Sequence, residues 1–294
     1  MYHKRTLKEL TLKDSFLFGA VMCEEDNCKQ LLEMVLGIPI ERLEVVKEKS
    51  IIYHPEYRGV RLDVYAKDEN NTHYNVEMQT LERKDLSKRA RYYHSQIDME
   101  LLLSGVDYSE LPKSYVIFVC DFDPFGKGKY CYTFENRCIE DDAVFAGDES
   151  YTIFLSSVGQ NQSEVPKEMV HFLNYVRADL EDSTKDFEDE FVRKLQETVH
   201  TIKSSRKREE QYMHFELLLK EERAAARDAG RAEGRAEGRA EGKTEVLLEL
   251  LMDLGDVPAD LTEKVKEQKN GEVLTAWCKL ASKSTTVEEF ISNM

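Results

Sequence analysis

Hydrophobic residues recur at helical spacing near the start of the chain. Leu12, Phe16 and Ala20 lie four residues apart, and a second series follows at Leu31 and Val35. This spacing places apolar side chains on one face of a helix. A glycine and a proline follow the second series, as is common just beyond a helix end. The pattern therefore predicts two consecutive helices.

The pattern then changes to short runs rich in Val, Ile, Tyr and Thr, which are typical of strands. Turn residues at Pro55–Gly59 and Asp68–Asn71 separate three such runs. The runs are RLEVVKEKSIIYH, VRLDVYAKD and THYNVEMQT. They predict a meander of three antiparallel strands.

A helix with one apolar face is predicted from about Asp85 to Leu103. Its apolar positions follow helical spacing: Leu86, Ala90, Tyr93, Ile97 and Leu101. The next run, SYVIFVCD, is typical of a strand that is buried on both faces. Two further strand candidates, YCYTFENRC and YTIFLSS, complete an order that favours an α/β fold with a mixed sheet core flanked by helices.

The rest of the chain is predicted to be helical, and it contains the repeat GRAEGRAEGRAEG from Gly230 to Gly242. We divide the chain into a core over 1–180, a long helical segment over 181–229, the repeat over 230–242 and a small helical region over 243–294. In a helix, the arginines and the glutamates of the repeat form stripes about 200° apart. Within each stripe, like charges are neighbours at i and i+4, which destabilises an isolated helix. A partner helix that offers the opposite charge would stabilise it. We expect a homo-oligomer through this region; a flexible charged linker is the alternative.

Composition and charge exclude several classes of protein. The chain has 294 residues, 33% of them charged, and a formal net charge of −16. No run approaches the roughly 20 apolar residues that span a bilayer, so no membrane partner is expected. The six cysteines form no CxxC pair, which favours reduced thiols in a cytoplasmic protein. Contact with nucleic acid would need a local basic patch or a metal that reverses the sign of an acidic site.

Two acidic residues lie on consecutive predicted strands. Strand alternation places Asp63, Glu77 and Gln79 on one face. The two carboxylates, with the backbone carbonyl of Met78, can converge on a hard divalent cation. Such a cation acidifies a bound water and neutralises charge on a phosphodiester. The alternative is that these are ordinary solvent-facing residues of an amphipathic sheet.

Four stretches occur in order over about residues 6–160: LKDSFLFGAVMCEEDNCKQLLEMVLG, GVRLDVYAKDENNTHYNVEMQ, KRARYYHSQID and SYVIFVCDFDPFGKGKYCYTFENR. Together they resemble the PD-(D/E)XK nuclease family transposases, also called Rpn-type recombination-promoting nucleases. The resemblance implies a restriction-endonuclease-like fold and metal-dependent cleavage of DNA. Asp63 matches the aspartate of the motif and Glu77 its second acidic residue. Gln79 stands where the wider superfamily usually has lysine, a substitution also typical of this family.

Gln79 offers only a dipole where lysine offers a charge, so another cation is expected to assist. Arg89, on the helix after the motif, is the candidate, with Tyr92 and Tyr93 beside it. Lys88 belongs to a basic cluster that could follow a DNA backbone: Arg83, Lys84, Lys88, Arg89 and Arg91. The alternative for these cations is an ordinary solvated helix face, and for Tyr93 a place in the core.

Asp14 corresponds to the aspartate of the family's N-terminal D-x-x-F pattern. It either caps the first helix or supports the metal from outside its ligand shell.

The chain is therefore predicted to be a Mg²⁺-dependent DNA endonuclease of the recombination-promoting type, with Mn²⁺ as a possible substitute. Water is the expected nucleophile, Asp63 and Glu77 the metal ligands, and Gln79 the residue that positions the water or the phosphate. One alternative is a catalytically idle nuclease fold that acts as an oligomerising interaction or regulatory module. Another is an RNase that uses the same site.

Overall fold

A mixed sheet forms the core of the computed structural model, which describes residues 5–51 and 60–294. Within these residues the sheet has six strands in the order β1-β2-β3-β4-β6-β5. The strands are β1 (Leu43–Ile51), β2 (Val60–Asp68), β3 (His73–Gln79), β4 (Ser114–Cys120), β5 (Cys131–Phe134) and β6 (Ser150–Ser156). Strand β4 runs parallel to both β3 and β6, and the other neighbours are antiparallel. The predicted meander is confirmed as β1-β2-β3, while the turn predicted at Pro55–Gly59 lies outside the described residues.

Nine α-helices accompany the sheet in the described part of the chain. They are α1 (Ser15–Met22), α2 (Glu25–Leu36), α3 (Leu86–Leu101), α4 (Lys167–Arg177), α5 (Glu190–Ser204), α6 (Arg206–Leu254), α7 (Ala259–Glu267), α8 (Gly271–Ala281) and α9 (Val287–Asn293). Gly37 caps the end of α2, and its left-handed backbone (φ 67°) is a conformation that glycine adopts without steric cost. The two helices predicted before the meander, the helix after it and the α/β class are therefore confirmed.

The hairpin between β2 and β3 is fixed by Asp68. Its Oδ1 accepts hydrogen bonds from the backbone N–H groups of Asn70 and Thr72, and its Oδ2 accepts one from the Tyr74 hydroxyl. Asn71 adopts the positive φ (62°) that such a tight turn requires. This turn sets the register Val64–Val76, and Asp63 therefore lies level with Glu77.

Strand β3 is buried along its whole length, from His73 to Gln79. Successive residues of a strand face opposite sides of the sheet, so both faces of β3 are covered. On one face, α3 packs its apolar stripe onto β4 and β6. The buried side chains of this cluster include Leu86, Ala90, Tyr93, Ile97, Val116, Phe118 and Phe154.

The chain divides into two compact units, Met1–Met213 and His214–Met294. The first contains the sheet. The second has its own apolar core, in which Leu247 and Leu251 of α6 pack with Leu261, Leu274 and Phe290. The repeat over 230–242 lies within α6, so it is helical.

Candidate active site

The backbone ladder between β2 and β3 ends at Val64–Val76, and two carboxylates occupy the gap beyond it. The backbone N–H of Asp63 donates to Glu77 Oε1 at 3.2 Å. The backbone N–H of Met78 donates to Asp63 Oδ2, also at 3.2 Å. Side-chain oxygens thus replace the carbonyl partners that a continuous ladder would supply. We call this gap, with Asp63, Glu77 and Met78, the strand split.

Glu77 is the more deeply buried of the two acids, with 1% of its surface exposed, whereas Asp63 is half-buried. The alternative that Glu77 is an ordinary solvent-facing residue of the sheet is wrong, because α3 covers that side. Burial, and then the nearby charge of Asp63, raise the pKa of Glu77 above its ordinary value. Arg89 opposes this shift. A second cation between the carboxylates would relieve their repulsion further.

Arg89 reaches the strand split from α3. Its Nη2 donates to Glu77 Oε2 at 3.0 Å and to the Tyr93 hydroxyl at 2.6 Å. Its Nε donates to the same hydroxyl at 2.8 Å. The Arg89 side chain is 31% exposed and that of Glu77 is 2% exposed. The alternative that Arg89 is only a solvated helix charge is therefore wrong.

The environment of Arg89 also includes two aromatic rings. Its guanidinium lies 5.2 Å from the Tyr93 ring centre and 5.9 Å from that of Phe118, within cation–π range. Burial and the Glu77 charge raise the pKa of Tyr93 to about 12, so its hydroxyl keeps its proton. The Tyr93 hydroxyl lies 3.3 Å from Glu77 Oε2, to which it donates.

Gln79 lies at the end of β3 and is buried. Its Oε1 accepts a hydrogen bond from Arg89 Nη1 at 2.9 Å, and its Nε2 donates to the carbonyl of Leu81 at 2.8 Å. The structure thus brings together three residues that the sequence singled out, Glu77, Gln79 and Arg89. It adds Phe118, which the sequence reasoning missed. The register of β3 with β4 sets Phe118 opposite Glu77, and a single strand pattern carries no signal for that pairing.

The donor set of the strand split fits a small divalent cation. Mg²⁺ is usually bound by one or two carboxylates together with water and substrate phosphate. The carbonyl of Gln79 accepts from Asp121 on the β4 side, so the carbonyl of the preceding Met78 points towards β2 and the split. No group of three or more His, Cys, Asp or Glu with metal-binding geometry occurs within residues 5–51 and 60–294. The fit therefore rests on two carboxylates and one carbonyl.

The remaining candidates lie around this centre in different ways. Asp14 is the N-cap of α1, where Oδ1 accepts hydrogen bonds from the N–H groups of Phe16 and Leu17; the capping alternative is confirmed. Tyr92 is half-buried against the apolar cluster under α3. Lys88 is exposed, as are the other members of the basic cluster apart from Arg89: Arg83, Lys84 and Arg91.

A comparison with known protein families gives a match over most of the chain. A family model described as PD-(D/E)XK nuclease family transposase matches residues 13–228. No curated protein and no solved structure matches the chain. Among the helices of residues 5–51 and 60–294, none is long and apolar enough to cross a membrane.

Proposed function

Because the chain belongs to the PD-(D/E)XK nuclease family transposases, whose domain supports a nuclease-type function, we propose that it is a metal-dependent DNA endonuclease. The reaction is the hydrolysis of a phosphodiester bond, and the biological role is of the recombination-promoting, mobile-element type. The observation that carries this proposal is the pair of carboxylates, Asp63 and Glu77, in the strand split with a cationic side chain beside them.

Asp63, Glu77 and the carbonyl of Met78 would hold the metal, with Mg²⁺ as the expected ion and Mn²⁺ as an effective substitute. When bound, the cation supplies charge that neutralises the phosphodiester and acidifies the attacking water. The water oxygen bonds to phosphorus while the bond to the leaving sugar oxygen breaks. One proton leaves the water and one reaches the leaving oxygen. Burial and the nearby charge of Asp63 raise the pKa of Glu77, and a cation bound beside this carboxyl would favour its charged form.

A local basic surface supports DNA as the substrate despite the net charge of −16. Exposed Lys88 and Arg91 are three residues apart on α3, next to Arg89, and Arg83 and Lys84 precede that helix. Cations clustered beside a metal site can follow a phosphate backbone, whereas a uniformly acidic surface repels it.

An idle nuclease fold that acts as an interaction module is the second candidate. The observation in its favour is Gln79, which supplies no charge at the position where the wider superfamily usually has lysine.

A plasmid cleavage assay separates these two candidates. Purified protein is incubated with supercoiled plasmid and Mg²⁺ or Mn²⁺, beside an EDTA control and the Asp63→Ala variant. The nuclease requires nicked or linear product with the metal and none in either control. An intact plasmid with both metals, from protein that is folded by circular dichroism, favours the interaction module. Cleavage that persists in Asp63→Ala contradicts the assignment of the metal site.

We also propose that the chain forms a homo-oligomer through α6. Arg231, Arg235 and Arg239 are exposed along this helix, and a Cβ added at Gly230 or Gly234 would meet nothing within 4 Å beyond the helix's own backbone. An enzyme that breaks both strands of DNA gains from pairing two active sites. Light scattering of the full chain at micromolar concentration and low salt tests this idea, and a monomer under those conditions contradicts it.

A further inference from the structure

Gln79 is held so that its amide oxygen faces Arg89. The carbonyl of Leu81 can only accept a hydrogen bond, so the amide nitrogen of Gln79 must face it. The guanidinium of Arg89 can only donate, so the amide oxygen must face that group. Both ends of the buried amide are therefore engaged by protein groups, and its orientation follows from its two partners.

Arg89 keeps one donor for a further partner. A guanidinium has five N–H groups. Two from Nη2 go to Glu77 and Tyr93, the one on Nε goes to Tyr93, and one from Nη1 goes to Gln79. The second Nη1 N–H has no acceptor among the described residues, and the side chain is 31% exposed. Four contacts thus hold the planar guanidinium fork of Arg89 in place, while the fifth donor is available.

An anionic oxygen is the acceptor that suits this donor. Charge-assisted hydrogen bonds from a fixed guanidinium are strong, and its planar fork matches phosphate geometry better than a flexible ammonium does. The fork also lies beside Glu77, one of the two acids of the strand split, where a phosphodiester would be bound for hydrolysis.

We propose that Arg89 is the cation of this active site, contacting a non-bridging oxygen of the scissile phosphate through Nη1, and that Gln79 is the positioning residue that aims it. The inference rests on the proposed nuclease function and gives Gln79 a different task from positioning water or phosphate directly. It also explains why glutamine and not lysine occupies position 79. A lysine there could not accept the Arg89 hydrogen bond and would set a second cation beside the guanidinium.

A double-mutant cycle tests whether Gln79 acts through Arg89. Single-turnover cleavage is measured with Mg²⁺ for Gln79→Ala, for Arg89→Gln and for the two combined. Arg89→Gln should lose about 100-fold in rate, as loss of one preorganised charge donor does. Gln79→Ala should lose about 10-fold alone and nothing further in the Arg89→Gln background. Effects that multiply would show that Gln79 acts independently and would overturn its positioning role.

Moving the charge tests the role of Arg89. The variant Gln79→Lys/Arg89→Gln restores a cation at the strand position and should cleave at least about tenfold faster than Arg89→Gln. A purely structural role for Arg89 predicts no rescue. If Arg89→Gln does not fold, the relocated variant is compared with Arg89→Lys, and an inactive but folded relocated protein contradicts the proposal.

A readout that needs no catalysis comes from DNA binding in EDTA. Fluorescence anisotropy of a labelled duplex gives the slope of the logarithm of the binding constant against the logarithm of the salt concentration. The magnitude of this slope should decrease by about one for Arg89→Gln and recover in Gln79→Lys/Arg89→Gln. An unchanged slope in Arg89→Gln overturns the phosphate contact. The matched control is Arg193→Gln on α5, an exposed arginine, which should alter neither the rate nor the slope. If the wild type binds the duplex but never cleaves it, the proposed function fails while the slope still decides this inference.

Discussion

Arginine and glutamate occur together in two regions of this chain with different physical consequences. In the strand split, Arg89 and Glu77 are 3.0 Å apart, and their side chains are 31% and 2% exposed. In the repeat of α6, Arg231, Arg235, Glu237 and Arg239 are all exposed. The same two residue types therefore have a specific, partly desolvated pairing in one region and a solvated helix surface in the other.

The difference shows that burial, more than charge type, decides what a charged residue does. Removing one member of a buried pair leaves an uncompensated charge and costs about 3–5 kcal/mol. An exposed pair contributes about 0–1 kcal/mol and is screened by salt. Substitutions in the strand split should therefore alter chemistry and stability strongly, and substitutions in the repeat should alter them little.

The largest effect is expected at the two carboxylates. Asp63→Asn and Glu77→Gln should each reduce metal-dependent plasmid cleavage more than about 1,000-fold, because each removes half of the anionic charge that holds the cation. Glu44→Gln, an exposed acid on β1, serves as the matched control and should cleave like the wild type. Equal cleavage by all the variants, with native circular dichroism, would contradict the site.

The next largest effect concerns the support under Arg89. Phe118 is fully buried, and its ring stacks on those of Tyr93 (6.2 Å) and Phe154 (5.2 Å). Phe118→Ala should lower the free energy of unfolding by about 3–5 kcal/mol, since it leaves a cavity under α3. Leu217→Ala, at an exposed position of α6, should change it by less than about 0.5 kcal/mol. Urea unfolding measures both changes. Equal losses of unfolding free energy in the two variants would contradict the contrast between the buried site and the exposed helix.

A third prediction concerns a buried histidine in the unit that contains the sheet. His94 hydrogen-bonds to the hydroxyls of Ser114 and Thr152, and burial lowers its pKa from 6.5 to about 4. Below about pH 6.5 the unfolded chain takes up a proton that the folded chain does not, so the free energy of unfolding falls until about pH 4. The slope from this residue is at most about 1.4 kcal/mol per pH unit.

Replacing His94 with Gln should make that slope shallower between pH 6.5 and 4 while leaving the dependence above pH 7 unchanged. Urea unfolding at several pH values measures it. An identical slope in the two proteins would show that His94 does not titrate as its burial requires.

The smallest effect is expected in the repeat. Nothing lies within 4 Å of the Cβ position at Gly234, so Gly234→Ala should stabilise α6 by about 1 kcal/mol or less through helix propensity. If the glycine face packs closely against a second copy, the same change should weaken association, which light scattering detects. A lower thermal stability at unchanged oligomeric state would contradict both outcomes.

Much of the sheet unit is readable from the sequence because it depends on short-range periodicity. Period-two runs predict β1, β2 and β3, and the Asp68–Asn71 turn specifies the register of β2 with β3. Asp63 and Glu77 are therefore brought level by local signals alone. The apolar stripe of α3 is equally local.

The chemistry of the site is decided only by tertiary structure. From the strand pattern alone, Glu77 could face solvent. In the structure α3 packs over it, and this burial raises its pKa, because desolvation depends on what packs above the strand. The hydrogen bond between Arg89 and Gln79 joins α3 to β3 across ten positions of the sequence. Phe118 reaches Arg89 only through the parallel register of β3 with β4. Local pattern determines which residues share a face, whereas burial and the partner of each charge follow from the assembly of the layers.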